Sequence, residues 1–351
     1  MKKLYIYPFS YKQLPLMRVN EMQESIELVP SLPKSLYRSD KYLNYLVNGV
    51  GVPTINNSIE IESMIKNINN HDKYIFCNSD GKFHSLNYGL EISERINNLG
   101  YEPFNYLSYS TIQKIKSLNN VLYSKVNLIE VSHSVEKLNN LKSNKPKLKR
   151  INKEIISVSS IIDDYGKTGL CLDLYNYYKS KNKNPICILS DPLFELIGMK
   201  YIDYDELILK SINTAILYIN EYVYNLSKEY DTIIIEVPYN LIRYNDEKID
   251  SSGVFAYLLS EALNINKTIC CITANRNDKP YYDALDDIFN RKFGYSDISY
   301  FMTNFYPCFP NRLYENELPG DFINKTEYKD LLIEQVDKNI NLYNEIDCLF
   351  K

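Results

Sequence analysis

Short apolar runs and amphipathic stretches alternate along most of this chain. In the first part, residues 4–7, 26–29, 73–77 and 126–131 read as strands, the first two stopped by Pro8 and Pro30. Ile61, Ile65 and Ile68 share one face of a helix that Ser58 would cap. A second helix is predicted over 87–98, ending at Gly100. The later part keeps the rhythm. Strands are predicted at 155–158, 185–191, 231–237, 268–273 and 298–302. Helices are predicted over 168–181, 205–228, 252–263 and 281–291, and the tail over 328–349 reads as an amphipathic helix. Ile208, Ile212, Ala215, Ile219 and Val223 form the buried stripe of the longest one. Strand and helix in alternation imply α/β architecture with largely parallel sheets.

A chain of 351 residues is too long for one typical domain. The stretch 139–150 is polar, basic and interrupted by Pro146, so it reads as an exposed linker. The predicted division is a small Rossmann-like α/β domain at 1–138, the linker at 139–150, and an α/β domain with a mostly parallel, helix-flanked sheet at 151–351. In open sheets of this class, ligands sit beyond the C-terminal strand ends. In the first domain that points to Ser10, Tyr11, Asn78, Ser79 and Asp80, which also suit plain turns. His71, His84 and His133 are isolated.

The chemistry concentrates after the linker. A β-branched strand leads through Asp163, Asp164 and Tyr165 to Gly166-Lys167-Thr168-Gly169, where a helical pattern begins. Strand, loop, GKT and helix is the layout of a phosphate-binding loop. Backbone N–H groups at the helix start wrap phosphate oxygens, the Lys reaches the outer phosphates, and the Thr hydroxyl binds Mg²⁺. Ile161 stands where the usual spacing has its first Gly, and the two Asp place carboxylates where phosphate would go. The alternative is an ordinary strand-to-helix connection with Gly166 turning and Thr168 capping. Downstream, Thr232 to Pro238 is an apolar run ending in Glu236, as in a strand whose acid holds Mg²⁺ through water. After the strand at 268–273, Asn275-Arg276-Asn277-Asp278 matches N-[KR]-x-D, in which Asn and Asp read a purine base. A plain loop fits those residues too. The expected ligand is ATP or GTP with Mg²⁺, held by Asp164, Tyr165, Gly166, Lys167, Thr168, Gly169, Asn275 and Asp278, with Thr168 and Glu236 at the metal. A carboxylate at Asp278 would favour GTP. No residue is assigned catalysis.

Net charge is −4, so no basic excess exists to hold nucleic acid. The 33 Tyr and absent Trp, with abundant Asn, Ile and Lys, fit low-GC bacterial coding and mark no site. Seven Cys form no C-x-x-C pair, which fits a reducing cytoplasm. The apolar run after Met1-Lys2-Lys3 is short and broken by Pro8, and no segment is long enough to span a bilayer, so no membrane partner is expected.

From Glu154 to about Thr303 the chain resembles the branch of P-loop NTPases that includes dethiobiotin synthetase and the MinD-like proteins. The likeness rests on Asp164-Tyr165-Gly166-Lys167-Thr168 and on Ile235-Glu236-Val237-Pro238. The glycines that follow the acid in the synthetases are absent. The whole chain resembles the clostridial peptide maturation system proteins, through Leu4-Tyr5-Ile6-Tyr7-Pro8-Phe9, Arg18, Glu21, the D-D-x-G-K-T loop and the D-T-x-x-x-E-x-P strand. These accompany radical-SAM enzymes in clusters that make modified ribosomal peptides. The resemblance implies a setting: a precursor peptide and a peptide-modifying enzyme as partners, with a homodimer open to the chain. Two function classes follow. One is a nucleotide-binding accessory protein, working as a slow or partner-dependent ATP- or GTP-using hydrolase or synthetase. The other is a degenerate P-loop scaffold that binds the peptide or the maturation enzyme without hydrolysis.

Overall fold

The structure, a computed structural model, describes residues 2–7, 16, 26–32, 59–67, 73–77, 83–101, 103–118, 147–161, 166–242, 252–273, 279–303, 305–307, 320–322 and 342–343. Two compact units emerge. The first spans most of the chain up to Lys137 and takes in Leu189–Glu206. The second holds Leu138–Ile188 and Leu207–Lys351.

The first unit is built on a sheet of β1 (Lys2–Tyr7), β2 (Ile26–Leu32), β3 (Ile59–Glu60), β4 (Lys73–Cys77) and β5 (Phe104–Tyr106). Their order is β3-β2-β1-β4-β5, and every neighbouring pair is parallel. Tyr5, Ile6 and Tyr7 are all buried, as expected for a strand covered on both faces. Helices α1 (Ile61–Asn67), α2 (Phe83–Asn98) and α3 (Tyr109–Leu118) accompany the sheet. Met64, Phe76, Leu90, Ile92, Ile96, Ile112 and Ile115 join the strand tyrosines in one core. The α2–β4 contact is close: a Cβ on Gly89 would lie 2.1 Å from a ring carbon of Phe76. The excursion Leu189–Glu206 carries a 3₁₀ turn, Pro192–Ile197, capped by Asp191, and β8 (Lys200–Tyr201).

Three expectations change here. Pro30 does not end β2, which runs on to Leu32 with Pro30 opposite Ile6. On its other side β2 pairs only through Ser31 and Leu32, so a residue lacking N–H is tolerated there. The first helix starts at Ile61, because Ile59–Glu60 form a strand. Strand β5 and helix α3 were not anticipated. The predicted strand at 126–131 lies outside the described residues.

The second unit centres on β6 (Glu154–Ser160), a β-branched strand buried along almost its whole length. With β7 (Pro185–Leu189), β9 (Thr232–Glu236), β10 (Lys267–Ile272), β11 (Ile298–Met302) and β14 (Leu342–Tyr343), it runs in the order β14-β11-β10-β6-β9-β7. All of these pairs are parallel. This is the helix-flanked, P-loop-type parallel α/β sheet that the pattern predicts. A short antiparallel pair, β12 (Phe305–Pro307) and β13 (Gly320–Phe322), stands apart from it. Helices α4 (Gly166–Ser180), α5 (Tyr204–Ile208), α6 (Ile212–Leu226), α7 (Val254–Ala262) and α8 (Lys279–Phe293) complete the described chain. Among described residues, no helix is long and apolar enough to cross a membrane.

The long helix expected over 205–228 is two helices. Ser211 adopts extended backbone, φ −65° and ψ 148°, and its Oγ accepts from Thr214 N–H, so α6 starts afresh. Ala215, Ile219 and Val223 are buried as the stripe predicts, but Ile208 and Ile212 are exposed. Within the span expected as a helix over 328–349, Leu342–Tyr343 form a strand pairing with Tyr300 and Phe301, and the remainder of that span lies outside the described residues. The chain enters this unit along α6. Buried Asn220 accepts from Lys149 N–H at 2.7 Å and donates to Lys149 O at 3.1 Å and Ala262 O at 2.9 Å.

Candidate phosphate-binding site

The central sheet has a topological switch point. β6 leads through α4 to β7 on one side, while β10 leads through α8 to β11 on the other. The two strands are neighbours, and Ile161 N–H still donates to Cys271 O at 3.2 Å. The crevice beyond such strand ends is the usual ligand position in open α/β sheets. The chain leading to Gly166 and the chain leading to Lys279 therefore follow adjacent strands at the switch point. Asp163, Asp164, Tyr165, Asn275, Arg276 and Asp278 themselves lie outside the described residues.

Gly166 opens α4, with Lys167, Thr168 and Gly169 in its buried first turn. Thr168 does not cap the helix from outside. Its Oγ1 donates to Glu236 Oε1 at 2.6 Å. Glu236 is 3% exposed and is the last residue of β9, opposite Val158 of β6. Parallel pairing of β6 with β9 thus delivers a carboxylate to the start of α4 across 68 residues of sequence. A hydroxyl and a carboxylate oxygen in contact at a helix start form a hard-oxygen pair suited to Mg²⁺. Among described residues, no cluster of three or more His, Cys, Asp or Glu could hold a metal by itself.

Lys167 is 1% exposed. Its Nζ donates to Val237 O and Tyr239 O, both at 3.0 Å. These carbonyls belong to a segment that crosses the end of β6: Val237 N–H donates to Val158 O, and Leu241 N–H donates to Ser160 O. Tyr239 holds a left-handed backbone, φ +59°. Its ring stacks on Phe255 of α7 at 5.7 Å. Asn240 O receives Gly253 N–H, and Gly253 begins α7 at φ +73°. No sequence pattern marked Val237 or Tyr239 as partners of Lys167, because it contacts their backbone carbonyls rather than side chains. A buried ammonium requires acceptors, and that requirement was the available signal.

Below the site, burial pushes the Cys171 and Cys187 thiols well up, with Glu236 adding to the effect. Thiols held neutral in this way are packing groups, not nucleophiles. Ser159 and Ser160 keep buried hydroxyls with no hydrogen-bond partner among described residues. In the first unit, Ser10, Tyr11, Asn78, Ser79 and Asp80 lie outside the described residues, although β1 and β4, which precede them, are neighbours. The described carboxylate that departs most from its ordinary range there is half-buried Glu195, pushed up to about 7 by burial with Lys200 opposing.

No family profile matches this chain, and no curated protein matches it. Among solved structures, it is similar to a DUF1611 family protein from Anabaena variabilis ATCC 29413. The TM-score is 0.61 at 10% identity, covering 100% of this chain and 99% of that one. Chloroplast FtsY from Physcomitrella patens matches at TM-score 0.30 and 9% identity, over 78% of this chain and 92% of that one. That second likeness is too slight to build on. The first extends along both chains almost completely, and what it establishes is a shared fold.

Proposed function

We propose that the second unit binds the phosphates of ATP or GTP with Mg²⁺, and that the protein is a nucleotide-binding accessory factor for maturation of a ribosomally made peptide. The observation that carries the nucleotide reading is the Thr168–Glu236 contact beside Lys167, at the start of a helix, beyond the ends of parallel strands. Helix N–H groups, a buried cation and a hydroxyl–carboxylate pair are the parts a Mg²⁺–polyphosphate ligand uses. The peptide setting rests on the sequence resemblance. Turnover in this proposal is slow or partner-dependent, because Ile161 occupies the loop position that glycine usually fills. Asn275–Asp278, which follow the neighbouring strand in sequence, would supply base contacts. A carboxylate at Asp278 favours guanine by roughly 5- to 100-fold, from about 1–3 kcal/mol for a lost buried pairing.

Calorimetric titration with ATP and GTP, with and without Mg²⁺, tests this. Lys167→Ala should weaken binding at least about tenfold, since a charge-assisted contact is worth roughly 1.5–3 kcal/mol. Absence of binding in the parent protein rejects the reading.

One observation favours a second reading. The Lys167 ammonium is already engaged by Val237 O and Tyr239 O. A lysine used in this way serves as a structural tie, which suits a scaffold that has given up hydrolysis. In that case Lys167→Ala lowers stability, and nucleotide has no effect on either protein.

A further inference from the structure

We propose that the Lys167 ammonium is a latch for which backbone carbonyls and bound phosphate compete, so that ligand binding is reported to helix α7. This rests on the nucleotide-binding reading and specifies how that site is regulated.

Lys167 Nζ sits between Val237 O and Tyr239 O at 3.0 Å each. The ammonium has three N–H groups, two of them spent on these carbonyls, and drawing it toward a phosphate at the start of α4 moves it off the position that serves both. A buried carbonyl deprived of its donor is costly, so the segment carrying it shifts to find another. Tyr239 is strained where it stands. A non-glycine residue in the left-handed region persists when its surroundings hold it there, and Lys167 is one of the groups that hold it. Loss of the latch therefore removes a restraint from a residue already biased to move.

The connection onward is contiguous. Leu241 N–H is tied to Ser160 O, and Asn240 O takes Gly253 N–H. At Gly253 there is no slack: a Cβ would lie 2.9 Å from Leu241 O. The Tyr239 ring lies against Phe255, which is 1% exposed in α7. A shift of the 237–241 segment thus acts on the first turn of α7 through a backbone bond, a close backbone approach and a ring stack. The Thr168–Glu236 contact lies on the other side of Lys167 in sequence and need not break for this to happen.

Hydrogen exchange read by mass spectrometry on the full chain tests the latch. The arms are protein alone, with saturating Mg-ATP, and with Mg-GTP, with binding followed separately by calorimetry. The expected result has two signs. Amides in the first turn of α4 exchange more slowly with ligand, while the Leu241 and Gly253 amides exchange about fivefold faster or more. Lys167→Met, which keeps the stem and removes the ammonium, should show the same faster exchange at Leu241 and Gly253 without ligand. If that variant fails to fold by circular dichroism, the parent arms decide alone. Nucleotide binding with unchanged or slower exchange at both amides overturns the latch and leaves the binding site standing. Absence of nucleotide binding overturns both.

Discussion

Replacing Thr168 with Val removes one hydroxyl from the first turn of α4 at nearly constant volume. In the parent protein that hydroxyl donates to Glu236 Oε1 at 2.6 Å, a short contact of the charge-assisted kind. Glu236 is 3% exposed, so water cannot readily replace the lost donor. A hydrogen bond to a charged group contributes about 1.5–3 kcal/mol, and the added methyl gives little back. The expected loss is therefore about 2–3 kcal/mol. For a unit of this size each kcal/mol moves Tm by about 2–4 °C, so the drop should be about 4–12 °C. Urea unfolding followed by circular dichroism should show a lower midpoint with an unchanged slope. Thr168→Ser keeps the hydroxyl and should recover most of the loss, while Glu236→Gln keeps an acceptor and should lose less than Thr168→Val. A Thr168→Val cost under about 0.5 kcal/mol would refute the reasoning, as would Ser and Val variants that are equally destabilised.

Glu195 should impose a pH dependence on the first unit. Its folded value is raised from 4.5 to about 7, so its contribution is complete below about 4.5 and is lost as pH rises through about 7. Solvent screening at a half-exposed group reduces the full linkage value to about 1–2 kcal/mol, and Glu195→Gln should flatten the stability–pH curve over that window. Gly253→Ala should cost about 1–3 kcal/mol, because φ +73° and a 2.9 Å approach to Leu241 O both oppose a Cβ; thermal melts measure it directly. Gly89→Ala should cost a similar amount by forcing Phe76 off its position in the first core, and a melting point within about 1 °C of the parent would show that the ring gives way freely.

The sequence made the strand frame readable where periodicity and boundaries agree. Lys73–Cys77 and Ile298–Met302 occur at the predicted limits, because turn signals or polar residues flank compact β-rich runs. The switch from β6 to α4 at Gly166-Lys167-Thr168 was legible for the same reason, and Glu236 stood out as an acid ending an apolar run. The meeting of Thr168 with Glu236 was not legible, since only the pairing of β6 beside β9 joins them. The partners of Lys167 were hidden more deeply. Any residue supplies a carbonyl, so no letter in the sequence marks Val237 or Tyr239 as acceptors. Ser211 shows how one polar residue divides a hydrophobic stripe: the apolar spacing runs across it, while its own backbone prefers a cap. At the tail, Leu342 and Tyr343 pair as strand with Tyr300 and Phe301, where local spacing alone reads as helix.

Asn220 gives the basic entry segment a consequence for where this molecule can be cut. Among described residues, its buried amide is satisfied on one side by Ala262 and on the other by the peptide group of Lys149. A fragment started at Glu154 would retain every described strand and helix of the second unit. It would also expose an amide that evolved in a sealed crease, at a cost of about 1–3 kcal/mol. Lys149, inside what composition alone presents as a tether, therefore belongs to the packed body of the second unit. A protease that trims that tether past Lys149 would shorten the lifetime of the unit it leaves behind.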